Sequence, residues 1–294
     1  MLIGIYDKYQ NSYRSNQVIQ AIQDLGHEAE LIRQWEITVS SFPFNIKLGS
    51  RNAQDYDLLF IANLGRESPT RANFRLNLFD LLMSHGSLIV NSPKTIRITR
   101  DKAQTFFILS EQGLPIPPTL ITEQPSEVLA FVERYDSCIL KPTIGSQGRG
   151  IFFLDAQMSE STLLSLLDHY SRLFGEGLFL VQKKLETEGF DIRALIVGEE
   201  QISVYKRVFN QSGLANLHRG GKPIPCDIDI GDLALRAAKS VGGGIVGVDL
   251  IHSPEGLVIT EINSCPGWKG EPSLQRVDVS NVIAKYLVEK KLAI

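Results

Sequence analysis

The sequence predicts a mixed α/β and α+β protein, in which a small parallel α/β domain precedes two α+β subdomains. Three observations carry this. Over residues 1–92 short apolar runs alternate with segments of helical period, the signature of strands joined by helical crossovers. Ser92-Pro93 then interrupts the pattern, and Pro115, Pro117 and Pro118 add a rigid link further on. Beyond residue 185 strands follow one another in pairs, as antiparallel sheet does. The chain's 294 residues suffice for such packed units, with boundaries expected at 1–92, 93–184 and 185–294.

The elements follow in order. Residues 2–6 read as a buried strand, and residues 15–26 carry Val18, Ile22 and Leu25 on one helical side, with Gly26 as a stop. Strands are expected at 28–33, 57–63 and 87–91, with a helix over 71–84 between the last two. No GxGxxG follows the first strand, which argues against a dinucleotide-binding domain. One helix over 95–112 ends at Gly113, and another covers 126–135. A strand at 137–141, a glycine loop, a strand at 150–154, a helix over 160–173 and a strand at 179–182 complete the central unit. Paired strands at 191–197 and 201–209, a glycine-bearing loop at 213–221, a helix over 230–241, a hairpin and a helix over 277–290 complete the chain.

Composition narrows the function. Hydrophobic residues make up 43% and charged residues 21%, the mix of an ordinary globular chain. A net charge of −3 argues against general affinity for nucleic acid or an anionic membrane. Cys138, Cys226 and Cys265 are far apart and match no zinc spacing, which fits a reducing cytoplasm without disulfides. No apolar run approaches the ~20 residues of a membrane span. The first strand runs at once into Asp7 and Lys8, unlike a secretory signal.

Four segments carry the chemistry. In the C-terminal hairpin, Asp249 lies on one strand, and Glu261 and Asn263 lie two apart on the next, so the last two share a face. Strand pairing can gather all three into a hard oxygen site suited to Mg2+; the competing reading is a solvated strand face. The loop Gly145-Ser146-Gln147-Gly148-Arg149-Gly150 lies between two strands and can turn backbone N–H groups toward an anion, although a flexible hairpin would look the same. It is not a Walker loop, because no GK[ST] opens a following helix. Lys141 ends the strand before it and Lys102 lies near a helix start, so both can meet phosphate oxygens or remain solvated surface charges. Asp191 and Arg193 share a strand face, with Lys206-Arg207 on the next strand; this set suits phosphate or carboxylate recognition, or a cross-strand charge pair. Asn216-Leu217-His218-Arg219-Gly220-Gly221 offers a second phosphate or acceptor contact, though His218 alone is more ordinary as a structural histidine.

Together these segments resemble the ATP-grasp superfamily in its RimK-type amino-acid ligase branch. The matching residues are Thr99-Arg100-Asp101-Lys102, Leu140-Lys141-Pro142 with the 145–150 loop, Val181-Gln182, Asp191-Ile192-Arg193, 216–221, Gly247-Val248-Asp249 and Glu261 through Gly267. Each motif is weak alone; their order and spacing are specific. The resemblance implies an ATP-grasp fold in which two α+β subdomains clasp ATP behind the N-terminal domain. It implies that Lys102, Lys141, Gly145, Ser146, Gln147 and Gly148 meet the phosphates. Gln182 and Lys183 would lie at the adenine edge and Asp191 near the ribose. Asp249, Glu261 and Asn263 would hold two Mg2+ ions, with Mn2+ as a substitute. Arg193 and Arg207 would face the reacting carboxyl group, with Asn216 near the terminal phosphate. A homo-oligomer is the branch's expectation.

The implied reaction joins an amino acid, L-glutamate foremost, to an acceptor carboxylate through an acylphosphate. It needs no protein nucleophile, in keeping with a chain that offers no convincing Ser-His-Asp or Cys-His set. Intact Lys102, Lys141, Asp249, Glu261 and Asn263 argue against a nucleotide binder without turnover. The segment after the metal residues, Cys265-Pro266-Gly267-Trp268, looks more like pterin-cofactor glutamate ligases than protein-modifying ones. Trp268 there either stacks on a cofactor-like acceptor or packs its own loop. A protein or peptide acceptor is the alternative.

Overall fold

A computed structural model of the protein describes residues 1–9, 12–65, 68–145, 150–175, 177–209, 222–268 and 278–293. In chain order the elements begin with β1 (Leu2–Asp7), α1 (Tyr13–Asp24), β2 (Glu28–Arg33), β3 (Ile37–Ser41), β4 (Phe44–Leu48), β5 (Arg51–Asn52), β6 (Leu58–Ile61), α2 (Pro69–Ser84) and β7 (Ile89–Val90). There follow α3 (Pro93–Arg100), α4 (Lys102–Glu111), β8 (Thr119–Thr122), α5 (Pro125–Tyr135), β9 (Ser137–Lys141), β10 (Phe152–Asp155), α6 (Glu160–Phe174) and β11 (Phe179–Lys183). The last group is β12 (Phe190–Val197), β13 (Glu200–Val208), β14 (Lys222–Pro225), α7 (Leu233–Ser240), β15 (Ile245–Ser253), β16 (Gly256–Asn263) and α8 (Val279–Leu292). No helix among the described residues is long and apolar enough to cross a membrane.

The first sheet is parallel, in the order β2-β1-β6-β7. Its strands are apolar on both faces because both faces are covered. Ile3, Ile5, Leu58 and Phe60 pack with Val18 and Ile22 of α1 and with Ile283 and Leu287 of α8. Tyr6, Leu59 and Ile61 face the other way, onto Leu76 and Phe79 of α2. The C-terminal helix therefore packs on the N-terminal sheet. A small antiparallel sheet, β3-β4-β5, lies in a stretch where no strand was expected.

The second sheet, β10-β9-β11-β8, is antiparallel and buries Cys138, Leu140 and Val181 against Val132 of α5 and Leu167 of α6. The third is also antiparallel, in the order β14-β13-β12-β15-β16. Ile192, Ala194, Val248, Leu250 and Ile262 line its apolar face, over Ala234 and Ala237 of α7 and Phe106 of α4. A bulge near Thr260 sets Asp249 opposite Glu261 and Leu250 opposite Ile259. Ile259 and Ile262 can therefore both face the core although they are three apart.

The single helix expected over 95–112 is two helices. Asp101 ends α3 and caps α4, its carboxylate accepting from the Ala103 and Gln104 amides at 2.9 and 3.3 Å. Asp101 also bridges to Ile144, and the Lys102 amide donates to the Thr143 carbonyl at 2.9 Å. The break thus ties α4 to the start of the glycine loop. Asn91, 1% exposed, joins the first and third sheets, since its amide donates to the Ile245 and Ser264 carbonyls and accepts from the Ile245 amide. Gly244 leaves room for it: a Cβ there would lie 2.1 Å from Asn91 Oδ1, and its φ of +92° suits glycine.

Candidate active site

Period-two alternation builds the site on the polar face of the third sheet. On β12 the even positions Ile192 and Ala194 go to the core, so Asp191 and Arg193 go to the opposite face. Asp191 stands opposite Arg207 and Arg193 opposite Tyr205 on one side, and Arg193 stands opposite Asp249 on the other. Glu261 is then opposite Asp249, and Asn263 opposite Gly247. Register thus brings Asp191, Arg193, Arg207, Asp249, Glu261 and Asn263 onto one face over three neighbouring rungs.

Four of these form a closed charge network. Arg207 forks onto Asp191, with Nε to Oδ1 at 2.7 Å and Nη2 to Oδ2 at 2.5 Å. The same Nη2 lies 3.0 Å from Asp249 Oδ2. Arg193 forks onto Asp249, with Nη2 to Oδ2 at 2.8 Å and a short contact from Nε to Oδ1. All four side chains are buried. Burial pushes Asp191 up to about 6, only partly offset by Arg207. Burial pushes Asp249 the same way, but Arg193 and Arg207 together outweigh it and hold its carboxyl below the ordinary value. Burial would likewise lower Arg207, yet Asp249 and Asp191 prevail and raise it. The two aspartates differ because Asp249 meets two guanidiniums and Asp191 one.

At the edge of this network Glu261 Oε1 lies 3.2 Å from Lys102 Nζ. Lys102 Nζ also donates to the Gly145 carbonyl at 2.7 Å. Lys141 lies nearby with Nζ 4.9 Å from the centre of the Phe106 ring. Burial, then the like charge of Lys102, pushes Lys141 down to about 7, against the pull of Glu261. Gln182, opposite Ile139 on the second sheet, donates from Nε2 to Thr119 Oγ1 at 2.8 Å. Lys183 points to the other face of β11 and pairs with Glu255 at 3.1 Å. Of the two adenine-edge residues expected from sequence, only Gln182 shares the face of Lys141.

Ser146, Gln147, Gly148, Asn216, His218 and Arg219 lie outside the described residues. Tyr205, 4% exposed between Arg193 and Arg207, was not anticipated; it lies two residues before Arg207 on one strand, so period two alone would have found it. Burial raises its phenol. Trp268 is 8% exposed and packs in the core that α1, α8 and the first sheet share, under the Arg14 guanidinium. It packs its own loop rather than offering a free stacking face.

The donor set at the hairpin is two carboxylates and an amide. Among the described residues no group of three His, Cys, Asp or Glu side chains could hold a metal. Oxygen donors alone suit Mg2+, which takes one or two protein carboxylates and completes its shell with phosphate oxygens and water. Asp249 accepts two N–H bonds from Arg193 and is ion-paired with Arg207 at 3.0 Å, so its roughly four lone-pair directions are not all taken. The residues therefore fit such an ion, with lysines beside it to meet a polyphosphate.

Comparison with known proteins agrees. Residues 99–287 match the model of the RimK-like ATP-grasp domain. The tetrahydromethanopterin:alpha-L-glutamate ligase of Methanocaldococcus jannaschii is 29% identical over 253 residues, covering 84% of each chain. A probable alpha-L-glutamate ligase of a Shewanella species is 27% identical over 300 residues, covering 99% of this chain and 96% of that one. The solved structure of the ATP-grasp ligase PsnB with minimal precursor, Mg and ADP superposes with a TM-score of 0.70 at 20% identity, covering 99% and 97%. The chain belongs to the RimK-like ATP-grasp family and is an ATP-dependent carboxylate–amine ligase.

Proposed function

We propose that the chain adds L-glutamate, through an amide bond, to the carboxylate of a small-molecule or cofactor-like acceptor. The substrate class rests on relatives named as glutamate ligases that cover nearly the whole chain. The observation that carries the chemistry is Lys102 Nζ, held 3.2 Å from Glu261 at the edge of the Asp249, Glu261 and Asn263 set. It joins the cation that would meet phosphate to the residues that would hold metal.

In this reading Lys102 and Lys141 bind the ATP phosphates with Gly145, Ser146, Gln147 and Gly148. Gln182 and Lys183 serve the adenine edge and Asp191 the ribose. Asp249, Glu261 and Asn263 hold two Mg2+ ions, with Mn2+ as a substitute; bound there, Mg2+ supplies charge neutralisation on the phosphates. Arg193 and Arg207 orient the acceptor carboxylate, and Asn216 steadies the terminal phosphate. A carboxylate oxygen attacks the γ-phosphorus and ADP leaves. The glutamate nitrogen then attacks the acyl carbon, the phosphate leaves and the nitrogen loses a proton. The first step turns a poor leaving group into a good one, the second expels it, and fixed cations stabilise the charge that develops.

The test is Mg2+-dependent ADP formation with products followed by mass spectrometry. The panel pairs L-glutamate and other amino acids with pterin-type cofactors, acidic peptides and free glutamate. A gain of one glutamyl residue on a cofactor is the expected result; a gain only on peptides would overturn the acceptor class. Glu261→Gln should lower turnover by about two to three orders of magnitude with an unchanged melting temperature. A near-normal rate would remove Glu261 from the site.

A further inference from the structure

The ligase reading leaves two guanidiniums unused. In the first sheet β1 pairs with β2 on one side and β6 on the other, so the chain switches direction across β1. Ligands of parallel α/β sheets bind outside the carboxyl ends of the strands at such a switch point. Here the loop after β16 crosses that place: Cys265 Sγ lies 4.0 Å from the Ile61 carbonyl at the end of β6.

Arg14, in the first turn of α1, donates from Nη1 to the Pro266 carbonyl at 2.8 Å and lies 5.2 Å from the centre of the Trp268 ring. Arg100, at the end of α3, donates to the Gly65 carbonyl at 3.3 Å. Arg100 follows Thr99, whose hydroxyl donates to Ser264 Oγ at 2.7 Å, while Arg14 holds the Pro266 carbonyl, so both cations border the 264–268 loop. Burial, and then the like charge of Arg75, lowers Arg100; the Cys265 thiol opposes this.

Neither Arg14 nor Arg100 forms an ion pair among the described residues. Arg33, Arg51, Arg97, Arg193 and Arg207 each meet a carboxylate. Asp7, the buried carboxylate at the end of β1, is engaged by the Ser15 hydroxyl at 2.5 Å and the Tyr9 amide at 3.1 Å. With one carbonyl partner each among the described residues, these two half-buried guanidiniums have N–H donors to offer an external anion.

The crevice also adjoins the reaction site. A Cβ on Gly247 would lie 3.0 Å from Pro266 Cβ and 3.1 Å from Arg193 Nη1. Pro266 thus packs over Gly247 beside Arg193, with Arg14 on its carbonyl.

We propose that the crevice at the carboxyl ends of β1 and β6, formed by Arg14, Arg100 and the 264–268 loop, binds an anionic group of the acceptor, a carboxylate or phosphate remote from the carboxyl that reacts. It rests on the ligase reading only in naming the acceptor as the owner of that anion; the anion site is testable without turnover.

The experiment titrates the full chain, saturated with AMP-PNP and Mg2+, with N-acetyl-L-glutamyl-L-glutamate and separately with inorganic phosphate, by calorimetry. At least one probe should bind, more weakly as salt rises from about 50 to 200 mM. Arg14→Gln and Arg100→Gln should each weaken that binding by about tenfold or more, with AMP-PNP affinity and melting temperature unchanged. The probe that binds identifies the anion. No binding of either probe, equal binding by the variants, or a parallel loss of AMP-PNP affinity would each overturn the proposal. Probe binding that depends on both arginines, in a chain that glutamylates nothing, would retain the anion site and remove the glutamate-ligase reading.

Discussion

Two arginine-containing regions lie on either side of Pro266 and are built on opposite principles. On the third sheet Arg193 and Arg207 are matched by Asp191 and Asp249, each held at a fixed strand register. At the switch point Arg14 and Arg100 project from helices toward carbonyls, with no carboxylate partner among the described residues. The first region closes its charge balance internally, so its geometry is set before substrate arrives. The second leaves its balance open. Removing a charge should therefore cost stability in one region and affinity in the other.

The largest expected effect breaks the closed network. Arg207→Met leaves Asp191 buried without its fork, which should destabilise the fold by about 3–5 kcal/mol, read as the urea midpoint. Arg14→Gln should shift that midpoint by under about 1 kcal/mol. Similar losses for both would erase the contrast. Next comes the wall on which Arg14 leans. Trp268→Ala should lose about 3 kcal/mol as a core deletion, whereas selective loss of acceptor affinity at full stability would restore the stacking reading.

The smallest effect concerns pH. Asp191 rises from the ordinary 3.8 to about 6 in the folded chain. The native state keeps that proton where the unfolded chain has released it, so the stabilisation is complete below 3.8 and is lost as pH rises through about 6. Asp249 has the opposite sign: its native value is depressed, so its contribution is present above 3.8 and is lost as pH falls through that lower value. Urea unfolding between about pH 4.5 and 7 should show a decline in stability with rising pH that Asp191→Asn reduces. An identical slope in parent and variant would remove Asp191 from the account.

Much of this was legible in the sequence because it is periodic. Strand alternation put Asp191 with Arg193 and Glu261 with Asn263 on shared faces, and the structure brings both pairs to one face of the third sheet. What escaped lacks local signal. The strands β3 to β5 are short and mostly exposed, with Phe42 98% exposed at their turn, and the buried pair Ile46 and Leu48 of β4 is too brief an alternation to mark 37–52 as strands. The break at Asp101 is hidden because its cause, Thr143 and Ile144, lies some forty residues away. Trp268 could be read as a ligand platform because a buried aromatic and a stacking one look alike until the neighbouring helix is placed. Arg14 belongs to no motif and Arg100 stands out only beside Lys102; the loop after β16 brings them together.

The docking of α8 on the first sheet has a consequence for biosynthesis. Ile3, Ile5, Val18 and Ile22 share a core with Ile283, Ala284 and Leu287, so β1 is covered in part by a helix far along the chain. During translation the part of that face that α8 covers stays open until residues 279–292 have emerged. The growing chain therefore carries a sticky surface over that interval, in which a chaperone that shields apolar strands can act.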